Sequence, residues 1–311
     1  MQDSFYDKQY FLSHIKTTVL PILEKLENKR LFYLYLSKKI KKLSFFLILI
    51  LAIFSFILTE KYNNGIFILL APILGSAPYF LYKLKIRQFL NKICAETLPL
   101  IFNFLENAKV TPPAISNKMI IDSCLLSDVD FLNSSICFSF KYNGINCFIQ
   151  KSRVINNIGR KYAIFFPKYA VSLRMAFKGI FVCFEPTNKI TGHTIAFNQK
   201  NIVSKIPIHL SKIDLGDIYY DTYFQIFSTP LLPSEKEYIK SVLIGIKTLK
   251  NIFNAPRTDV SFFDNKILLA LYTDFDMFSF LNLNHSFLDE RLFLKVYENI
   301  TGLLKSISLD K

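Results

Sequence analysis

This sequence lacks the common catalytic and nucleic-acid signatures. It has no H-E-x-x-H zinc motif, no P-loop, no G-x-S-x-G nucleophile elbow and no G-x-G-x-x-G dinucleotide fingerprint. RNP, KH and zinc-finger patterns are also absent. These absences exclude the familiar motif-bearing hydrolases, nucleotide-binding enzymes and nucleic-acid modules. They also leave no catalytic residue, cofactor or metal ligand to be predicted from a motif.

Charged residues are missing from two long segments. Leu43–Thr59 contains 17 uncharged residues and Asn63–Tyr82 contains 20, with Glu60 and Lys61 between them. About 20 apolar residues cross the hydrocarbon core of a bilayer, and buried core helices usually have shorter apolar runs. The sequence therefore predicts a transmembrane hairpin over residues 43–82. A cleaved signal peptide is not expected, because 42 residues precede the first run and no A-x-A pattern follows it.

Basic residues gather beside these two runs. The net charge of the chain is +14. Residues 1–42 carry a net charge of +5 and residues 43–92 a net charge of +4, so nine of the fourteen excess positive charges lie within residues 1–92. Such clusters bind anionic headgroups, which accounts for the charge better than a nucleic acid does. The positive-inside rule then predicts a multi-pass protein of a bacterial inner membrane with both termini in the cytoplasm. The flanking basic residues are Lys38, Lys39, Lys41, Lys42, Lys83, Lys85 and Arg87.

Cysteine usage agrees with a cytoplasmic domain. The chain contains five cysteines, which is an odd number, and no C-x-x-C motif. In the cytoplasm we expect free thiols that are mostly buried as small hydrophobic side chains.

The periodicity of the sequence predicts four segments. Residues 1–42 form a helical cytoplasmic segment, 43–82 the membrane hairpin, 83–109 a juxtamembrane helix, and 110–311 a mainly antiparallel α+β cytoplasmic domain.

Turn and capping signals add detail to this layout. Asn143–Gly144 and Asp264–Asn265 predict hairpin turns. Ser234 and Glu237 fit a capping box at the start of a helix. The helix over 83–109 carries an apolar stripe that a partner or the domain itself must cover, and Phe89 and Ile93 belong to it.

Four short segments resemble the DUF3137 family of uncharacterised bacterial membrane proteins: Phe177–Phe181, Gly192–Thr194, Phe224–Ser228 and Ser261–Ile267. They follow a predicted two-helix membrane segment, as they do in that family. The chain departs from the family pattern after Ser228, where it reads TPLLPSEKEYI. The resemblance implies a layout and no reaction, and it implies a LemA-like membrane protein as a partner.

Three residues are candidates for a functional site. His193 lies in the family-like segment Gly192–Thr194, and Asp214 and Asp217 belong to the acidic stretch DLGDIYYD. Carboxylates suit a hard cation, although this spacing is not that of an EF-hand loop. The alternative interpretation is that Gly192 supplies a positive φ angle in an ordinary turn and that the histidine is structural.

Three functions remain open. The lack of catalytic motifs favours a membrane-anchored cytoplasmic binding or scaffold protein over a membrane-tethered enzyme with an unrecognised site. An accessory subunit of a transport complex is a third hypothesis. Ionisable residues usually mark transport pathways, and neither apolar run contains one.

Overall fold

The computed structural model describes residues 8–62, 65–127, 129–157, 173–186, 191–198, 206–274 and 281–307, without the side chains of 66–71, 135 and 173–174. These residues divide into two compact units. The helical unit contains residues 8–101 and 281–293, and the sheet unit contains 102–274 and 294–307. The predicted α+β class is confirmed. The expected positions of the two termini and of the loop at residues 63–64 lie outside the described residues.

The helical unit begins with one continuous helix, Lys8–Tyr62. It consists of α1 (Lys8–His14), a π-helical turn (Ile15–Val19) and α2 (Leu20–Tyr62). Proline has no N–H to donate to the helical ladder, and Pro21 lies two residues after the end of the π-helical turn.

The apolar run of α2 is exposed over most of its surface. Phe46, Ile53 and Phe56 are each more than 60% exposed. An 18-residue window of this helix has a mean hydropathy of 2.5, and 11% of the window is buried. A core helix of a soluble protein would bury such side chains, so this run has the length and composition of a membrane anchor. Among the described residues it is the one helix that meets these criteria, and the predicted hairpin of two spans is not shown.

A second long helix, α3 (Ile66–Ile101), packs antiparallel to α2. The two helices approach closely at Gly75, where an added Cβ would lie 2.9 Å from the Ile48 Cα atom. Further along the pair, the Tyr82 hydroxyl donates a hydrogen bond of 2.9 Å to the Tyr33 carbonyl oxygen.

The apolar stripe predicted on this helix is partly covered by protein. Ile93 is 2% exposed, and the ring of Phe89 lies 4.6 Å from that of Tyr33 on α2. The N-terminal helix buries its own apolar side chains in the same unit, including Ile15 and Leu23. The stripe is therefore largely packed within the helical unit, although Phe89 remains partly exposed.

A polar pair on α2 holds the segment 281–293. The Arg30 guanidinium donates to the Leu283 carbonyl oxygen and, at 2.8 Å, to the Glu27 carboxylate. Glu27 also accepts the Phe287 backbone N–H at 3.1 Å. Burial acts to raise the pKa of Glu27, but the hydrogen bonds from Arg30 and Phe287 hold it below its usual value. One turn of α2 thus binds a segment from the far end of the chain.

The sheet unit is built on antiparallel strands, nine of them in the described part of the chain, in the order β1-β2-β3-β4-β9-β8-β5-β7-β6. The strands are β1 (Glu106–Thr111), β2 (Phe131–Tyr142), β3 (Ile145–Asn157), β4 (Leu173–Phe184), β5 (Thr194–Phe197), β6 (Ser211–Ile213), β7 (Gln225–Ser228), β8 (Arg257–Phe263) and β9 (Lys266–Tyr272). Strand β1 occupies residues predicted to belong to the helix over 83–109, which ends at Ile101 instead.

Both predicted hairpin turns are confirmed. Asn143 and Gly144 have φ angles of 49° and 84°, and Asp264 and Asn265 have 46° and 56°. Two successive positive φ angles are typical of the type I′ turn, whose twist matches that of the flanking strands. These turns join β2 to β3 and β8 to β9.

Helices complete the sheet unit. They are α4 (Asn117–Asp122), α5 (Ile218–Tyr223), α6 (Pro233–Ile252) and, from residue 294 onward, α7 (Glu290–Ile307). Helices α6 and α7 touch at two glycines, because added Cβ atoms at Gly245 and Gly302 would lie 2.4 Å from atoms of Ser306 and Ile252.

The cysteines are free, as expected, and four of the five are buried. Burial raises the pKa of Cys147 and of Cys183 to about 12. These two thiols are therefore protonated and unreactive near neutral pH.

The capping box predicted at Ser234 is displaced by two residues. Helix α6 begins at Pro233, so Leu232 is the N-cap and Glu235 is the third helical residue. The Glu235 carboxylate accepts the Leu232 N–H at 2.9 Å. A leucine side chain cannot accept a bond in return, so half of the box is present. Glu235 instead accepts two further hydrogen bonds from Thr191, from its N–H at 2.9 Å and its hydroxyl at 2.8 Å.

We expect Glu235→Ala to destabilise the sheet unit by about 1–3 kcal/mol, because it removes the partner of the Leu232 N–H and of both Thr191 donors. Ser234→Ala is the matched control. Ser234 is exposed one position earlier, and its replacement should change the free energy of unfolding by less than about 0.5 kcal/mol. Thermal and denaturant unfolding measure both values. Equal losses in the two variants would contradict this assignment of the cap.

Candidate functional site

The basic residues that flank the apolar run are all exposed. Those on α2 precede the run and those on α3 follow residue 82, and the seven residues are Lys38, Lys39, Lys41, Lys42, Lys83, Lys85 and Arg87. Lys39 lies over the ring of Tyr35, with its Nζ atom 4.6 Å from the ring centre. Tyrosine and lysine side chains of this kind are typical of the boundary between a bilayer and water.

His193 lies in a polar cavity of about 460 Å³. The cavity is formed where four parts of the sheet unit meet: the end of α4, the residues before β5, the residues after β7 and the turn between β8 and β9. Its lining includes two carboxylates, Asp122 and Asp264, and the hydroxyl-bearing Thr229. This is the cavity that contains a sequence-predicted histidine.

The histidine ring is held by two acceptors. Its Nε2 atom lies 3.2 Å from the Ser123 carbonyl oxygen and 3.2 Å from the Ser261 hydroxyl. A carbonyl oxygen can only accept, so Nε2 carries the proton and Nδ1 carries the lone pair of the neutral ring. Burial lowers the pKa of His193, although the bond to Ser123 acts against this. The side chain therefore joins α4 to strand β8 as a neutral hydrogen-bond donor.

Gly192 is required for a different reason from the one predicted. It is absent from the described residues with positive φ. An added Cβ would instead lie 2.3 Å from the Thr229 Oγ1 atom. From that position the Thr229 hydroxyl accepts a hydrogen bond from the His193 N–H at 3.0 Å. The Thr229 N–H donates to the His193 carbonyl oxygen, also at 3.0 Å. Close backbone approach, and not turn geometry, explains the glycine.

The acidic stretch lies in a separate place. Gly216 has a φ angle of 77° and forms a turn there. The Asp217 carboxylate caps α5 by accepting the Tyr219 N–H at 2.8 Å. Asp214 lines a different cavity, of about 510 Å³, together with Lys212 and Lys250. Asp217 therefore acts as a helix cap, whereas Asp214 lines a cavity.

The three candidates do not form one site. His193 belongs to the first cavity and Asp214 to the second. Within the described ranges, no group of three or more His, Cys, Asp or Glu side chains is arranged to hold a metal ion.

The sequence did not predict a buried ion pair that the structure shows in the sheet. Asp259 is fully buried on β8, and its carboxylate accepts from the Arg257 Nε atom at 2.6 Å and from the Asn198 N–H at 3.2 Å. The Arg257 guanidinium also stacks on the ring of Tyr272, 4.7 Å from its centre. Burial raises the pKa of Asp259 to about 6 against the opposing field of Arg257. An arginine and an aspartate two positions apart in an apolar strand are the signal that would have indicated it.

The fold and these cavities define an α+β protein with a long apolar N-terminal helix. Residues 175–309 match the family described as "Protein of unknown function (DUF3137)", so the chain carries a DUF3137 family domain over this range. The match begins in β4 and includes His193, both candidate aspartates and the Arg257–Asp259 pair. Comparisons with curated proteins and with solved structures found no match.

We expect replacement of His193 to change the pH dependence of stability. Folding favours the neutral ring, so its contribution is complete above the unfolded-state pKa of about 6.5 and is lost as the pH falls below that value. His193→Gln keeps a donor near Nε2 and removes the titration. It should therefore lose less stability than the wild type between about pH 7.5 and 5.

Two further variants test the same role. His193→Leu leaves the Ser123 carbonyl unpaired and should cost about 1–3 kcal/mol at pH 7.5. His285→Gln, at an exposed histidine outside this cavity, is the control and should keep most of the wild-type slope. Thermal unfolding across the pH range measures all four proteins. An identical slope for the wild type and His193→Gln would exclude the buried neutral ring.

Proposed function

We propose that this protein is a membrane-anchored binding or scaffold protein whose DUF3137 domain lies in the cytoplasm. The observation that carries the proposal is the exposed apolar run of α2, in which 11% of an 18-residue window is buried. Such a surface is stable in lipid and costly in water. The run is bounded by exposed basic side chains, which suit the anionic headgroups of a bacterial inner membrane.

A second crossing by α3 is part of the proposal. The contact of Gly75 with the Ile48 backbone supports it, because small residues let membrane helices approach closely. Ser44 and Ser55 are each 5% exposed on α2, whereas Ile73 and Phe80 on α3 are more than 60% exposed. A pair with small buried residues and large exposed apolar ones is suited to lipid. Two crossings, with basic residues at both outer ends, put both termini in the cytoplasm.

The expected partner surface is extended to α2, because much of the predicted stripe is packed within the helical unit. Leu31, Phe32 and Tyr35 on α2 are 48%, 60% and 56% exposed, and they precede the basic residues that bound the apolar run. Phe32 also borders a groove of about 560 Å³ between α2 and α3, with Phe89 on its opposite helix. We assign the partner contact to this aromatic patch of Leu31, Phe32 and Tyr35. A LemA-like membrane protein is the candidate to be tested.

Topology is the first test. Reporters fused at residue 1 and at residue 311 should both report cytoplasm, and the chain should stay in the membrane fraction after alkaline extraction. A cysteine introduced at Asn64 should react with an impermeant thiol reagent added from outside. Opposite locations for the two termini would mean a single crossing, and release by alkali would mean that the helix does not span the membrane.

Partner capture is the second test. Phe32→Glu and Tyr35→Glu should abolish most cross-linking of the full-length chain to a co-expressed LemA-like protein, because a buried charge at an apolar contact is strongly unfavourable. Ile244→Glu is the matched control. Ile244 is 47% exposed on α6, and its replacement should leave capture unchanged.

The same variants separate the scaffold from a tethered enzyme. If the protein acts through a site at His193, His193→Gln should abolish its cellular effect while Phe32→Glu does not. The proposal expects the reverse. Capture that survives both Phe32→Glu and Tyr35→Glu would remove the patch as the partner surface.

A further inference from the structure

An apolar row crosses one end of the sheet and is open to solvent. In the register of β2, β3 and β4, Phe131 lies opposite Ile155, and Ile155 lies opposite Met175. Residues paired in this way share one face of a sheet, with Cβ atoms about 4.5–5.5 Å apart. Phe131 is 60% exposed and Met175 is 54% exposed, whereas Ile149, further along the same face of β3, is fully buried. The sheet therefore presents a contiguous apolar surface at this end.

Basic side chains border the apolar row on the same face. The exposed Arg153 lies two positions before Ile155 on β3 and opposite Lys178 of β4. Lys151 comes two positions before Arg153, so it shares the face. The bond from Lys178 lowers the pKa of Asp274, and the fields of Arg153 and Lys151 act in the same direction. Three cations against one carboxylate leave these residues with a net positive charge.

This charge limits what can cover the apolar row. A second copy of the same face would bring like charges together, which is unfavourable at an interface. Residues 158–172, which join β3 to β4, contain Arg160, Lys161 and Lys168 and no acidic residue, so their net charge is also positive. The complementary occupant is an anionic one.

The chain itself supplies a reason to find an anionic bilayer close by. The apolar run of α2 has the length and composition of a membrane anchor. Tethering raises the effective concentration of the bilayer around the sheet unit, so that weak contacts suffice. Anionic lipids of the cytoplasmic leaflet attract basic residues near its surface, and apolar side chains bordered by cations are typical of elements that lie among the headgroups.

We propose that the face bearing Phe131, Ile155 and Met175 docks on an anionic lipid bilayer. The apolar row enters the headgroup region, and Arg153 and Lys151 are attracted to the phosphates. The sheet unit thereby gains a second, reversible contact with the membrane. This inference rests on the membrane anchoring proposed above and is independent of the aromatic patch on α2.

The absence of tryptophan from the chain permits a direct test. Phe131→Trp places a single fluorophore in the apolar row of the full-length chain, which is reconstituted in nanodiscs with brominated acyl chains. When the discs contain phosphatidylglycerol, the emission should shift to shorter wavelength and be quenched by contact with the lipid. Met175→Trp should behave in the same way. Discs of phosphatidylcholine alone should quench both variants less, and added salt should reduce the quenching in anionic discs.

Ile121→Trp is the matched reporter control. Ile121 is 44% exposed on α4, and its neighbour Ile120 belongs to the same buried core as Val154. Val154 alternates with Arg153 along β3, so α4 lies on the opposite face of the sheet. A tryptophan there should not be quenched by the lipid.

Charge variants in the Phe131→Trp background test the basic border. Arg153→Gln should lower the ratio of docked to free sheet unit about fivefold, the effect of removing one cation near an anionic surface. Lys212→Gln is the control for charge. Lys212 is exposed on β6, and five strands separate β6 from β3 in the described sheet. Its replacement should leave the quenching unchanged.

Three results would each overturn the proposal: equal quenching of Phe131→Trp and Ile121→Trp, quenching that does not depend on phosphatidylglycerol, and equal losses in Arg153→Gln and Lys212→Gln. A shift to shorter wavelength without quenching by bromine would assign the apolar row to a protein contact and would also overturn it. Release of the chain from the discs by alkali would contradict the anchor itself, so the two failures are distinguishable.

Discussion

The apolar surface of Leu43–Thr59 is the constraint on which the helical unit depends. A run of 17 uncharged residues with little protein against it is stable only where water is excluded. Basic residues bound the run, and lysine side chains in such positions suit the boundary of a membrane anchor because they can extend their charged ends toward headgroups. The polar pair Glu27–Arg30 lies outside the run, where burial of a charge is compensated by hydrogen bonds to the segment 281–293.

The sheet unit obeys a different constraint, because its central strands are buried on both faces. Ile180, Phe181 and Val182 are successive residues of β4, and none of them is exposed. Polar side chains inside such a sheet must find partners within the protein. Asp259 does so through Arg257, and His193 does so through Ser123. These two buried polar residues therefore help to hold the layers of the domain together.

Local features of the fold could be predicted because a few neighbouring residues determine them. Asn143–Gly144 specifies its hairpin since few residue pairs adopt two positive φ angles. The apolar run could also be predicted from the sequence, because its length and its lack of charged residues suffice to identify it. The cap of α6 was misplaced by two residues because Ser234 and Glu235 both suit a helix start. The choice depends on Thr191, which lies far away in sequence and bonds to Glu235.

Residues whose roles depend on distant partners could not be assigned in this way. The stripe containing Ile93 looked available because the sequence does not say which helix covers it. His193 looked like a possible active-site residue because nothing nearby in sequence reveals that Ser123 and Ser261 surround its ring. The same dependence on register explains why the sequence did not predict that Arg153 and Lys178 lie opposite each other. Each is a single cation in its own strand, and only the pairing of β3 with β4 makes them opposed charges. Asp274 is far away from both in sequence, and its bond to Lys178 offsets this opposition of like charges.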